Sequence, residues 1–197
     1  MLWGNKNGER ILATPGAKAI CPSCGEEVIS KCGFIKIWHW SHKVSNECNT
    51  WYEPESEWHI NWKNEFPKEC QEVIVKNGVR KLIADVKVNN TVLELQNSPI
   101  EYWKIIAREI HYGNMIWLFN GETFAKNLIL RNKGDYFSFR WKHPYKSLWS
   151  CNKDIFFDMN DDMIFHIKKI HHNVPCGGWG VILSKEEFLE KINGVNK

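Results

Sequence analysis

The chain contains no apolar run of the ~18 residues needed to cross a membrane. Nothing in its 197 residues reads as a signal peptide. A cytoplasmic protein without a membrane span is the expectation. There is no glycine-rich nucleotide loop, which argues against the common phosphate-cradling enzymes. Internal repeats and low-complexity linkers are absent too. Charge of one sign is not in excess: the net charge is +3, so local clustering of Lys and Arg matters more than the total for a polyanion partner. The seven cysteines are an odd number, and a disulfide set is unusual in a reducing compartment. Four of them fall before residue 50, and that clustering favours a metal over disulfides. What the chain has in plenty is tryptophan, with 11. Most suit packing, and a few suit a groove where bases stack. The length allows one domain with a sizeable core, or a domain plus a small module.

The first 52 residues read as that module. Cys21-Pro-Ser-Cys24-Gly25 has the shape of a zinc knuckle, whose tight turn aims two thiolates at one point. Residues 28–40 read as a hairpin turning near Cys32-Gly33 and ending in His39-Trp-Ser-His42. Two of His39, His42 and Cys48 complete a tetrahedral site. His42 with Cys48 is the favoured pair, since His39 and His42 point to opposite faces of a strand. The alternative is a pair of reduced cysteines; a thioredoxin-like motif lacks its strand and helix context. Cys32, Cys70 and Cys151 read as small apolar residues, and Cys176 as an exposed thiol without a role.

Pro54 suits the first position of a helix that Pro67 stops. On it Glu55, His59, Lys63 and Phe66 share one stripe, with Glu57, Asn61 and Asn64 on the other side. Either this is a solvated ladder of charges, or it is a face that supplies an acid and a cation to a site.

Strands follow at 72–75, 79–88 and 91–96, joined by Asn77-Gly78, a type I′ signal, and by Asn89-Asn90. With Asn89 and Asn90 as the turn, Asp85 faces Glu94. Opposed residues on an antiparallel pair have Cβ atoms roughly 4.5–5.5 Å apart. Two carboxylates so placed repel unless something binds between them, and a divalent cation is the obvious candidate. Gln96 projects from the same face as Glu94. Ser98-Pro99-Ile100-Glu101 reads as a capping box opening a helix to Tyr112, with Gly113 closing it. Ile105, Ile106, Arg108, Glu109 and Tyr112 give this helix a mixed face. Residues 115–119 form a buried strand, so a right-handed crossover to a parallel neighbour is expected. Beyond it, residues 136–141 and 155–157 read as strands. Lys142, His143 and Lys146 lie among Trp141, Tyr145 and Trp149. Asp158, Asp161 and Asp162 read as turn residues. His166, His171 and His172 fall in or after a helix starting near Asp162. Ser184-Lys-Glu-Glu187 caps a last helix with Phe188, Leu189 and Ile192 inward.

The order α-β-β-β-α-β, with an acid on the first helix, Asp85 on one strand and Glu94-x-Gln96 on the next, resembles the PD-(D/E)xK nuclease superfamily. More closely, the chain resembles the competence protein CoiA family. The matching pieces are Cys21-Pro-x-Cys24, His39-aromatic-x-His42-Lys43, Cys48, Glu55-Ser56-x-x-His59-x-x-x-Lys63, Ala84-Asp85-Val86, Glu94-Leu-Gln96-x-Ser98, Arg108-x-x-x-Tyr112 and Ile116-Trp117-Leu118. The resemblance implies a mixed α/β fold in three parts. These are a zinc-ribbon-like module at 1–52, a nuclease core at 53–125 and a C-terminal extension at 126–197. It implies a Mg²⁺- or Mn²⁺-dependent nuclease of DNA, with structural zinc. Asp85 and Glu94 would hold the catalytic metal, with Glu55, His59, Lys63 and Gln96 around it and Ser98, Arg108 and Tyr112 towards substrate. Gln96 stands where the superfamily has lysine. A neutral amide cannot supply positive charge, so Lys63 is the natural substitute. The alternative is a weak or inactive nucleic-acid-binding accessory protein of the same fold.

Overall fold

The computed structural model describes residues 1–43, 48, 55–171 and 176–194. The fold is mixed α+β and mostly strands. The chain divides into two compact units, residues 1–86 and 87–197, and the boundary falls within a strand. Pro54 and His172 lie outside the described residues. Among the described residues no helix is long and apolar enough to cross a membrane.

The first unit opens on β1 (Trp3–Lys6) and β2 (Glu9–Leu12), which pair through Asn7-Gly8. Both turn residues have positive φ, 54° and 86°, as a type I′ turn requires. β3 (Lys18–Ile20), β4 (Glu27–Lys31) and β5 (His39–His42) complete a sheet in the order β2-β1-β3-β4-β5. Its small core holds Met1, Ala13, Ala19, Cys21, Val28 and Trp40. Gly4 is needed there: a Cβ would lie 2.7 Å from that of Ala19 and 3.0 Å from the Trp40 ring. The hairpin of β4 and β5 closes through a wide loop, residues 32–38, rather than a tight turn at Cys32-Gly33.

Helix α1 (Glu57–Lys63) starts at Ser56, whose hydroxyl accepts from the His59 amide in a capping box. A 3-10 turn (Lys68–Cys70) leads into β6 (Gln71–Asn77), which pairs antiparallel with β7 (Arg80–Val88). Asn77 pairs with Arg80, so the turn residues are Gly78-Val79, one position later than the Asn77-Gly78 expected. Only Gly78 has positive φ, 59°, which is the type II′ pattern and not type I′.

The second unit begins at Lys87, at the end of β7, and passes through the Asn89-Asn90 turn. β8 (Thr91–Gln96) runs parallel to β9 (Met115–Asn120), and α2 (Tyr102–Tyr112) lies between them in the chain. This is the crossover expected. The helix starts later than Ser98: its N-cap is Glu101, which makes no side-chain cap bond. The Ser98 carbonyl, which would open a helix, accepts from Gln96 Nε2 at 2.7 Å instead. Short α3 (Gly121–Phe124) precedes the hairpin of β10 (Leu128–Asn132) and β11 (Phe137–Trp141). β12 (Asp154–Asp158) runs parallel to β9. β13 (Met163–His171), β14 (Cys176–Ser184) and helix α4 (Lys185–Asn193) end the described chain. Within this unit the strand order is β10-β11-β14-β13-β12-β9-β8. Central strands bury both faces, with Leu93, Leu95, Trp117, Phe119, Phe156 and Phe157 fully inside.

Two expectations fail here. His166 and His171 lie on strand β13, not in or after a helix. Cys176 is buried at the start of β14, not exposed. The partner strand explains both. A Cβ on Gly178 or Gly180 of β14 would run into the backbone carbonyl of Lys169 or His166, so a glycine-rich stretch that reads as loop is the only one that fits against β13. Helix α4 does carry its capping box, Ser184 with Glu187, and buries Phe188 and Ile192.

Candidate functional site

Three constellations carry chemistry. The first is cysteine-rich. The Cys21 amide donates to the Glu26 carbonyl and the Gly25 amide to the Cys21 carbonyl, closing a knuckle. Ligand atoms of Cys21, Cys24, His42 and Cys48 all lie within 4.8 Å of one another. Cys21 Sγ is 3.6 Å from Cys48 Sγ, and Cys24 Sγ is 3.2 Å from His42 Nε2. The group can bind a metal such as zinc, for which three thiolates and one imidazole are a usual tetrahedral set. His39 takes no part: its Nδ1 lies 2.8 Å from the Ile37 carbonyl. The ladder puts His39 opposite Lys31 and His42 opposite Val28, so the two rings leave the strand on opposite sides. Burial, followed by hydrogen bonds from Cys24 and Cys21, pushes the Cys48 thiol up to about 12. Metal capture must therefore displace protons.

The second lies on α1, β6 and β7 in the first unit. Lys63 is 1% exposed. Its Nζ meets three carboxylates: Glu55 at 2.8 Å, Glu72 at 3.3 Å and Asp85 at 3.3 Å. The stripe of Glu55, His59, Lys63 and Phe66 is thus an inward face rather than a solvated ladder, while Glu57, Asn61 and Asn64 are exposed. A lone buried ammonium would lose its charge. Here burial is outweighed by Glu72, Asp85 and Glu55, and Lys63 is held well above its ordinary value. Glu55 is raised as well, but in an acid that favours the neutral form. Its burial, offset by Lys63 and reinforced by Glu72 and Asp85, lifts its carboxyl to about 7. Its Oε2 is buried without a hydrogen-bond partner among the described residues. His59 is buried, and its Nδ1 is 2.8 Å from the Ser56 hydroxyl, closing the helix cap.

Glu72 escapes a reading of the sequence, where it is only the first residue of a strand. It is buried, with φ of +45°. Its Oε1 accepts from the Leu2 amide at 2.8 Å and its Oε2 from the Trp3 amide at 3.1 Å. Burial opposes its ionisation, but Lys63, the chain's amino group and these two amides outweigh it and hold the carboxyl at about 2. An acid entering a β-branched run is the one local signal, and nothing local identifies its partners.

The third constellation is in the second unit. Arg108 on α2 pairs with Glu94 on β8 at 2.9 Å and donates to Gln96 Oε1 at 3.3 Å. All three are buried. Gln96 thus has one end on Arg108 and the other on the Ser98 carbonyl. Arg108 faces these strand residues instead of solvent, with its guanidinium 5.9 Å from the Trp117 ring centre. Tyr112 is half-buried against His111. The neighbouring Glu109 carboxylate accepts from Trp117 Nε1 and from the Asn152 amide, a packing role.

The family model described as competence protein CoiA, N-terminal domain, matches residues 6–50. That span contains all four members of the Cys/His group. Comparison with curated proteins and with solved structures found no match.

Proposed function

We propose that this protein is a divalent-cation-dependent nuclease of DNA, with a PD-(D/E)xK-type site in which Lys63 replaces the motif lysine. The observation that carries the reading is the placement of Lys63. It is fully buried yet charged, and sits between Glu55, just ahead of the N-cap of α1, and the strand acid Asp85. That is the position a migrated lysine must occupy. Three carboxylates against one ammonium leave two negative charges in excess when all are ionised, which suits a divalent ion. Glu55 Oε2, buried and without a hydrogen-bond partner among the described residues, is a carboxylate oxygen with a lone pair left to offer an ion. Asp85 and Glu94, opposed on the register read from the sequence, would hold Mg²⁺ or Mn²⁺ with Glu55. When bound, the ion would supply positive charge to the scissile phosphate and lower the pKa of a water. The chain's own residues do the rest. Lys63 supplies fixed positive charge beside the attacking water, and Glu72 keeps its ammonium in place. Gln96, braced by Ser98 and Arg108, orients polar groups at the strand end. The Cys/His group, with zinc, would hold the N-terminal module together, and the likeness to a competence protein domain supports DNA as substrate. Asp85→Ala and Glu94→Ala are expected to abolish Mg²⁺- or Mn²⁺-dependent cleavage of single-stranded, duplex or branched DNA while the fold persists. Cleavage that survives both changes refutes the assignment.

A second reading is a non-cleaving nucleic-acid-binding protein. It is favoured by Arg108, which already neutralises Glu94 at 2.9 Å, as Lys63 does Asp85. A metal would have to compete with both cations. DNA that stays intact in Mn²⁺ yet shifts in a gel selects this reading.

A further inference from the structure

The loop joining β4 to β5, residues 32–38, is not explained by the metal group or the Lys63 cluster. Phe34 and Ile35 are 110% and 98% exposed, and Trp38 is 47% exposed. Large apolar side chains held clear of the protein usually mark an interaction surface. The charge along this stretch of chain has one sign. From Val28 to Lys43 there is no Asp or Glu, and Lys31, Lys36 and Lys43 are all exposed. The base of the loop is firm. Lys31 pairs with His39 and Ser30 with Trp40, Trp40 is buried in the core, and His42 belongs to the Cys/His group. An apolar tip on a firm stem, within a stretch that carries lysines and no acid, is complementary to a polyanion that also offers flat apolar faces. Unpaired nucleotides have both properties: aromatic rings stack on bases of any sequence, and lysines neutralise phosphates.

We propose that this loop is a contact for single-stranded nucleic acid. Phe34 and Trp38 take unpaired bases, Ile35 packs beside them, and Lys31, Lys36 and Lys43 take the backbone. The proposal does not rest on the nuclease reading, because the loop binds whether or not the chain cuts.

The test uses the full chain, without added Mg²⁺ or Mn²⁺, and a fluorescently labelled oligothymidylate followed by anisotropy. Phe34→Ser with Trp38→Ser is expected to weaken binding roughly tenfold or more, with the salt dependence unchanged. Lys31→Gln, Lys36→Gln and Lys43→Gln together are expected to flatten the slope of log K against log salt by about 2, at roughly 0.7 per lost phosphate contact. Both variants should melt as the parent does, since every altered side chain is exposed. The proposal is overturned if the parent does not bind the oligomer, or if both variants bind it with parent affinity and slope. It is also overturned if the tip is needed for binding phosphatidylglycerol vesicles or for self-association while oligomer binding ignores it. Loop-dependent binding by a protein that never cleaves DNA upholds the proposal and removes the nuclease reading alone.

Discussion

Glu55→Gln isolates the electrostatics of the Lys63 cluster. The Glu55 side chain is 9% exposed, so water screens it little. Its burial, against the pull of Lys63 and with Glu72 and Asp85 adding to it, raises its carboxyl from 4.5 to about 7. A pKa raised on folding means that the folded protein holds the proton more tightly than the unfolded chain. The associated stability is complete below about pH 4.5 and is lost as pH rises through 7. A shift of about 2.5 pH units at 1.36 kcal/mol each is about 3 kcal/mol. Glutamine keeps the shape and one acceptor for Lys63 but does not titrate. Relative to the parent, the variant should therefore gain about 3 kcal/mol between mildly acidic and mildly alkaline pH. Glu72 has the opposite sign: with its carboxyl held at about 2, it stabilises above 4.5 and that contribution is lost as pH falls through 2. It is present in both proteins and largely cancels in the difference. Urea unfolding followed by tryptophan fluorescence at a series of pH values measures the effect, and constant m-values check that the transition is the same. Parallel stability curves for parent and variant would show that Glu55 ionises normally, and would refute the buried arrangement of acids around Lys63.

The Cys/His group is expected to hold one zinc per chain, measured by elemental analysis. Cys24→Ser, Cys48→Ser and His42→Ala should lose the metal and destabilise the first unit by several kcal/mol, whereas His39→Ala and Cys32→Ser should keep it; zinc retained by His42→Ala would contradict the ligand set. Glu72→Gln should destabilise by about 3 kcal/mol near neutral pH, because it removes one partner of a buried ion pair and turns an amide group towards the Leu2 or Trp3 amide. Chemical denaturation reads this directly, and a loss below about 1 kcal/mol would mean that Glu72 is not holding Lys63.

How much of this could be read in advance depended on where the controlling contacts lie. The Cys/His group was legible because a knuckle spacing and a strand's alternation are both local, and together they separate His42 from His39. The strands flanking Asn89-Asn90 and the parallel crossover to β9 were legible for the same reason. The start of α2 was not. Ser98-Pro99-Ile100-Glu101 satisfies a local capping rule, yet the Ser98 carbonyl is taken by Gln96, and a rule that counts only neighbours misses the competitor. Strand β14 was hidden in a different way. Its glycines weaken any strand propensity, and only the close approach of β13 makes them necessary. For Lys63 the periodicity of α1 grouped the right residues but left open whether their face met water or protein. What decides it is charge balance. A buried lysine keeps its charge only if enough carboxylates converge on it, and one of the three, Glu72, is fastened by amides about seventy residues earlier in the chain. The helix stripe was therefore a question that only long-range partners could answer. Those partners turn it from a solvated ladder into the feature on which the proposed chemistry rests.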